Sequence, residues 1–209
     1  MPVVTISRYF GAGGGEVAER VAAALGWTLL DNAVVDAVAQ RLGVPIADVS
    51  ALEERVPPLA ARIARALALA SPELPTELDD APPLDEAAVI EVTDRVIEEA
   101  AARGPCVVVG RGAQCLLAER ADALHVLCHA PHAALVRRVA ARRGVPSAEA
   151  ERLVRETNRQ REQYVRRHWH REWLDVRNYH LCVDTEFLGI EGAAALVTEV
   201  AREKLGVGA

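Results

Sequence analysis

Apolar and polar positions fall into blocks of two kinds along the chain. Five short apolar runs are bounded by turn residues: VVTIS at 3–7, WTLLD at 27–31, PCVVVG at 105–110, ALHVLCHA at 123–130 and HLCVDT at 180–185. They are short and largely continuous rather than strictly alternating, the pattern of strands buried on both faces. Between them the apolar positions repeat at helical spacing. Val17, Val21 and Leu25 stand at i, i+4 and i+8, and Gly26 stops the stripe. Residues 32–43 and 86–104 read as further helices, and 45–70 as helical with weak punctuation. Residues 71–86 hold four prolines, six acids and no base, and read as a loop. Strands alternating with helices predict an α/β chain, with a parallel sheet of about five strands and helices on both faces.

Composition narrows the function classes. A chain of 209 residues suits one domain with small inserted lobes. A net charge of −6 and a pI near 5.6 argue against a general nucleic-acid binder. No apolar run approaches the ~20 residues that span a bilayer, and the N-terminus has a strand pattern rather than a leader pattern. The expectation is a cytoplasmic protein with neither nucleic acid nor membrane as partner, its oligomeric state open. Cys106, Cys115, Cys128 and Cys182 form no C-x-x-C pair and read as reduced core residues. Of 24 basic residues only Lys204 is a lysine; the rest are arginine. Eleven arginines crowd into residues 134–171, a positive lobe on an acidic chain.

Candidate chemistry begins after the first strand. Arg8, Tyr9, Phe10, Gly11, Ala12, Gly13, Gly14, Gly15 and Glu16 join it to a helix. The P-loop pattern G-x-x-x-x-G-K-[ST] cradles phosphate on backbone N–H groups and a helix N-terminus. Aligned on Gly13, Arg8 replaces its first glycine, Gly14 its lysine and Gly15 its hydroxyl. A rival reading takes Gly13 to Ala18 as G-x-G-x-x-A, with Asp31 as the ribose acid of a dinucleotide fingerprint. In that motif the glycine follows the strand almost directly, whereas five residues intervene here. A purely structural glycine turn is the third reading.

Several segments together resemble the cytidylate kinase-like proteins, a divergent branch of the P-loop nucleoside monophosphate kinases. They are TISRYFGAGGGEVAERVAAALG, LLDNAVVDAVA, VVVGRGAQCLLAERADALHVLCHAP, RETNRQREQYVRRHW and YHLCVDTEFLG. Members of that branch also open with Ser-Arg and a glycine-rich loop without lysine. The resemblance implies a three-layer P-loop NTPase-type fold in one domain. Its core is 1–35, 101–139 and 174–209. A helical monophosphate lobe occupies ~36–100, and an arginine-bearing lid ~140–173. It implies phosphoryl transfer from ATP to a nucleoside monophosphate, CMP or dCMP; because the loop offers no hydroxyl, Mg²⁺ would be held mostly by nucleotide oxygens and water, with no protein metal site.

The resemblance and the chemistry of phosphate together nominate site residues. Gly11, Ala12, Gly13, Gly14, Gly15 and Glu16 would bind the ATP phosphates. Arg8 would replace the lysine, and Arg159 and Arg161 would act from the lid beside Tyr164. Asp31, Arg111, Arg138 and Arg142 would face the monophosphate. Arginine suits these tasks because its planar fork meets phosphate oxygens two at a time. Asp184-Thr185 matches the family at the last strand, with no chemistry assigned. Family members commonly carry arginine where Gly15 and Leu135 stand, and aspartate where Asn158 stands. Those departures keep two alternatives open: a weak or inactive nucleotide-binding regulator, and a kinase for another small acceptor.

Overall fold

Every predicted strand forms, and all lie in one sheet. The structure is a computed structural model describing residues 1–31, 41 and 86–206. Strand β1 (Val3–Arg8) leads into helix α1 (Gly14–Leu25) and strand β2 (Thr28–Leu30). Helix α2 (Glu86–Arg103) precedes β3 (Cys106–Val109), the short α3 (Ala113–Leu116) and β4 (Ala123–His129). Then come α4 (His132–Arg143), α5 (Ser147–Trp169), a 3₁₀ turn at Val176–Asn178, β5 (Leu181–Asp184) and α6 (Gly189–Leu205). The expected helices at 32–43 and 45–70, the loop at 71–86 and most of the ~36–100 lobe lie outside the described residues.

The sheet order is β2-β3-β1-β4-β5, and every neighbouring pair is parallel. Alternation along the strands makes two cores. Val4, Ile6, Val107, Val109 and Val126 pack on one face with Val17 and Val21 of α1 and Val197 and Ala201 of α6. Val3, Cys106 and Val108 pack on the other with Val89, Val96, Ile97 and Ala101 of α2. The result is three layers. Strand addition runs to one side of β1 for β2 and β3, then to the other for β4 and β5. Such a reversal opens a crevice beyond the carboxyl ends of the strands, where ligands bind in sheets of this type.

One cysteine departs from the expectation. Cys106, Cys115 and Cys128 are buried, but Cys182 is exposed. It sits on β5, an edge strand of the sheet among the described residues. Among the described residues, no helix is long and apolar enough to cross a membrane.

Candidate active site

The loop after β1 is shaped by close packing. Gly11 (φ 88°) lies where a Cβ would come within 2.8 Å of the Leu135 carbonyl oxygen. Gly13 (φ 73°) heads α1, and no side chain caps that helix. The opening N–H groups of α1, on Gly14, Gly15 and Glu16, have no acceptor in a preceding turn, and the helix dipole makes that end positive. A Cβ on Gly14 would lie 2.5 Å from Cβ of Arg8. The lysine position of the pattern is thus a glycine because the Arg8 stem crosses it. The Arg8 guanidinium continues to Gly110, where a Cβ would stand 1.8 Å from its Nη1. Arginine and two glycines fit together as one unit.

Beyond this loop, at the carboxyl ends of β1 and β3, is a cavity of about 550 Å³. Arg8, Asp31 and Arg111 form its floor, and Thr157, Gln160, Arg161 and Tyr164 of α5 close over it, with Arg143 of α4 at its side. Gly110, Arg111 and Gly112 have φ of 72°, 59° and 66°, three left-handed residues in succession. That turn places the one bulky member, Arg111, in the cavity wall. Burial, and secondarily the like charge of Arg8, lower the Arg111 pKa to about 10, with Tyr164 and Asp31 opposing the shift. Arg111 therefore stays cationic at neutral pH. On the wall, the Ser7 hydroxyl donates to Oε1 of buried Gln114 at 2.9 Å.

Helix α5 is docked on the loop. Asn158 Oδ1 accepts the backbone N–H of Phe10 (2.8 Å), and Arg161 Nη1 donates to the Arg8 carbonyl (2.6 Å). The Phe10 ring has guanidinium groups of Arg143 and Arg161 6.0 and 5.9 Å from its centroid, a cation–π arrangement. At its far end α5 packs Trp169 on Gly112, where a Cβ would meet the indole at 2.3 Å.

The structure brings Arg8, Asp31, Arg111 and Arg161 to one cavity; Gly11, Ala12, Gly13, Gly14, Gly15 and Glu16 do not line it and reach it only through Arg8, whose stem packs on Gly14. The structure leaves three nominated arginines elsewhere. Arg138 donates to Thr185 and pairs with Glu186. Arg142 pairs with the Glu16 carboxylate, neutralising an acid that would repel an anion at the loop. Arg159 is exposed on α5 and does not line the cavity. Residues that sequence reasoning passed over are Phe10, Arg143, Gln114 and, as a bonding partner of the loop, Asn158. Arg143 adjoins a nominated residue, and one helical step of about 100° separates the cavity from Glu16. Gln114 carried a weak signal, a polar side chain two residues past the Gly-Arg-Gly turn.

A family model for the cytidylate kinase-like family matches residues 3–186. The chain belongs to the cytidylate kinase-like family. No curated protein matches this family member in sequence. Among solved structures, an uncharacterized protein from Eubacterium ventriosum is similar, with a TM-score of 0.68 and 17% identity over 96% of this chain and 98% of that one. A shikimate kinase from Bacteroides thetaiotaomicron has a TM-score of 0.53 and 14% identity over 95% and 97%. A shikimate kinase from Acinetobacter baumannii, in complex with shikimate, has 0.51 and 16% over 99% and 94%. At these identities the likeness is one of fold, that of P-loop kinases. Such kinases typically use ATP with Mg²⁺. Among the described residues no group of His, Cys, Asp and Glu comes together to hold a metal. Gly15 offers no hydroxyl at the position where the P-loop pattern carries one. The described residues make no protein cage for magnesium.

Proposed function

We propose that the protein transfers a phosphoryl group from ATP to a nucleoside monophosphate, with CMP or dCMP the leading acceptor. The observation that carries this reading is the convergence of Arg8, Arg111 and Arg161 on one cavity, with the Arg8 stem packed against Gly14 at the uncapped N-terminus of α1. Phosphoryl transfer asks for alignment and for positive charge around the migrating group, with little covalent work from the protein. The α1 amides and Arg8 would hold the donor phosphates. Arg111, rigid in its left-handed turn, would hold the acceptor phosphate. An acceptor oxygen attacks the γ-phosphorus, the bond from that phosphorus to the bridging oxygen breaks, and ADP leaves. Arg161, on the closing helix, would neutralise charge on the migrating group while α5 excludes water.

Four guanidinium groups and one carboxylate among the described lining residues favour a strongly anionic acceptor. The test is a screen of ATP-dependent ADP release with CMP, dCMP, UMP, AMP, GMP and shikimate. The expected result is the highest kcat/KM with CMP or dCMP. Stimulation by shikimate alone would reassign the acceptor. ATP binding without release for any acceptor would make the protein a nucleotide-binding regulator.

A further inference from the structure

Asp184-Thr185 ends the last strand and is absorbed by none of the roles above. Thr185 is fully buried. Its hydroxyl lies 2.7 Å from the Ala12 carbonyl oxygen in the glycine loop and 3.1 Å from the His129 carbonyl. The His129 carbonyl already accepts the Thr185 backbone N–H at 2.9 Å. Arg138 Nη1 stands 3.0 Å from the same hydroxyl, and Nη2 donates to the Thr185 carbonyl (2.9 Å) and to Glu186 (2.8 Å).

The direction of these bonds follows from what each group can do. A guanidinium only donates, so the Thr185 oxygen must accept from Arg138. Its single hydrogen is then spent on a carbonyl, and Ala12 is the nearer acceptor. In a trans peptide the C=O and N–H point to opposite sides. Drawing the Ala12 carbonyl onto buried Thr185 turns the Gly13 N–H away from the buried side. Gly13 is the residue that heads α1, and its left-handed backbone depends on that peptide plane. Bonds in such a chain polarise one another, and Arg138 makes the hydroxyl a better donor.

We propose that Thr185 is the positioning residue of the phosphate loop: oriented by Arg138, it sets the Ala12–Gly13 peptide so that the Gly13 N–H faces a bound polyphosphate. This rests on reading residues 8–16 as a nucleotide-phosphate cradle. Arg138 then serves the donor side without touching a substrate, which accounts for its absence from the cavity.

The test is calorimetric binding of ADP with Mg²⁺, and separately of CMP, to the full-length protein and its variants. Thr185→Val keeps the shape and deletes the hydroxyl. It is expected to weaken ADP roughly 10- to 100-fold, the range for one well-aimed hydrogen bond to a charged group, and to leave CMP unchanged. Thr185→Ser should restore ADP binding. Thr198→Val removes another buried hydroxyl, bonded to Ala194 within α6. It should lower stability and spare ADP affinity, separating positioning from general softening. If Thr185→Val fails to fold, Arg138→Met decides: weaker ADP with unchanged CMP supports the relay. Loss of CMP affinity, or no loss of either, overturns it. If the parent protein binds ADP and Thr185→Val binds it equally, Thr185 has no positioning role and the cradle stands. If the parent protein shows no affinity for ADP, the cradle reading fails and the relay fails with it.

Discussion

Gly14 and Gly15 stand side by side under opposite constraints. A Cβ on Gly14 would strike the Arg8 stem, whereas one on Gly15 would meet nothing within 4 Å. Gly15→Ala should therefore raise stability by about 0.4–1 kcal/mol through the unfolded chain, with activity retained. Gly14→Ala should cost about 1–3 kcal/mol by overpacking and displace Arg8, lowering turnover. Thermal melts and steady-state rates of the two variants check this, and equal behaviour would remove Arg8 from the loop's design. The cavity arginines should separate kinetically. Arg111→Ala is expected to raise the acceptor KM roughly 10- to 100-fold, and Arg161→Ala to lower kcat by about 10²–10³. A reversed split would exchange their roles. At this scale the chain was only half legible. Arg8 and Arg111 follow strands directly, so their place beyond the strand ends could be read from sequence. Arg138 and Arg142 could not be told from Arg143, because helix phase against the sheet is set by tertiary packing. Asn158 reads in sequence as a lost charge. In the fold it serves as the acceptor for Phe10, a bond that needs no charge.

Helix α5 reaches the peptide groups on either side of Tyr9, through Asn158 to the Phe10 N–H and through Arg161 to the Arg8 carbonyl. Its outer face is laced by i,i+4 ion pairs, Arg152–Glu156 and Arg155–Glu151. Exposed pairs of this kind contribute only a few tenths of a kcal/mol each, so docking depends on the inner contacts. Asn158→Ala removes one hydrogen bond of about 1 kcal/mol, which corresponds to about fivefold faster amide exchange at Phe10. Exchange measured by NMR should show that change, together with loosening along α5. Unaltered exchange would mean that the remaining inner contacts, Arg161 on the Arg8 carbonyl and Trp169 on Gly112, hold the helix without Asn158. The elements themselves were the most legible level. Each strand after the first was an apolar run closed by glycine, proline or acid, and β1 to β5 match the five runs within one or two residues. The four-residue α3 escaped because so short a segment has no periodicity to read.

Across the whole molecule, one buried histidine ties stability to pH. His125 sits on β4 opposite Thr5, its Nδ1 2.8 Å from the Thr5 hydroxyl and its ring stacked on His180 at 5.0 Å. Burial first, and His180 second, lower its pKa from 6.5 to about 4. The unfolded chain takes up the proton first as pH falls. Stability is therefore full above about 6.5, declines down to about 4, and levels off below. The decline amounts to on the order of 3 kcal/mol. Asp94 acts in the opposite sense between its ordinary 3.8 and about 6, raised by burial and then by Glu98. The His125 share is read as the difference between denaturation curves of the parent and His125→Asn, and parallel curves from pH 4 to 7 would refute it. Finally, a cradle built from guanidinium and amide groups has no nucleophilic amine. Lys204, the only lysine, lies at the end of α6 beside Glu203. Amine-seeking acylating agents, whether metabolic or synthetic, would find no lysine in the cavity, while dicarbonyl reagents that seek arginine would silence it. Probes that report on ATP sites by tagging a lysine would pass this protein by.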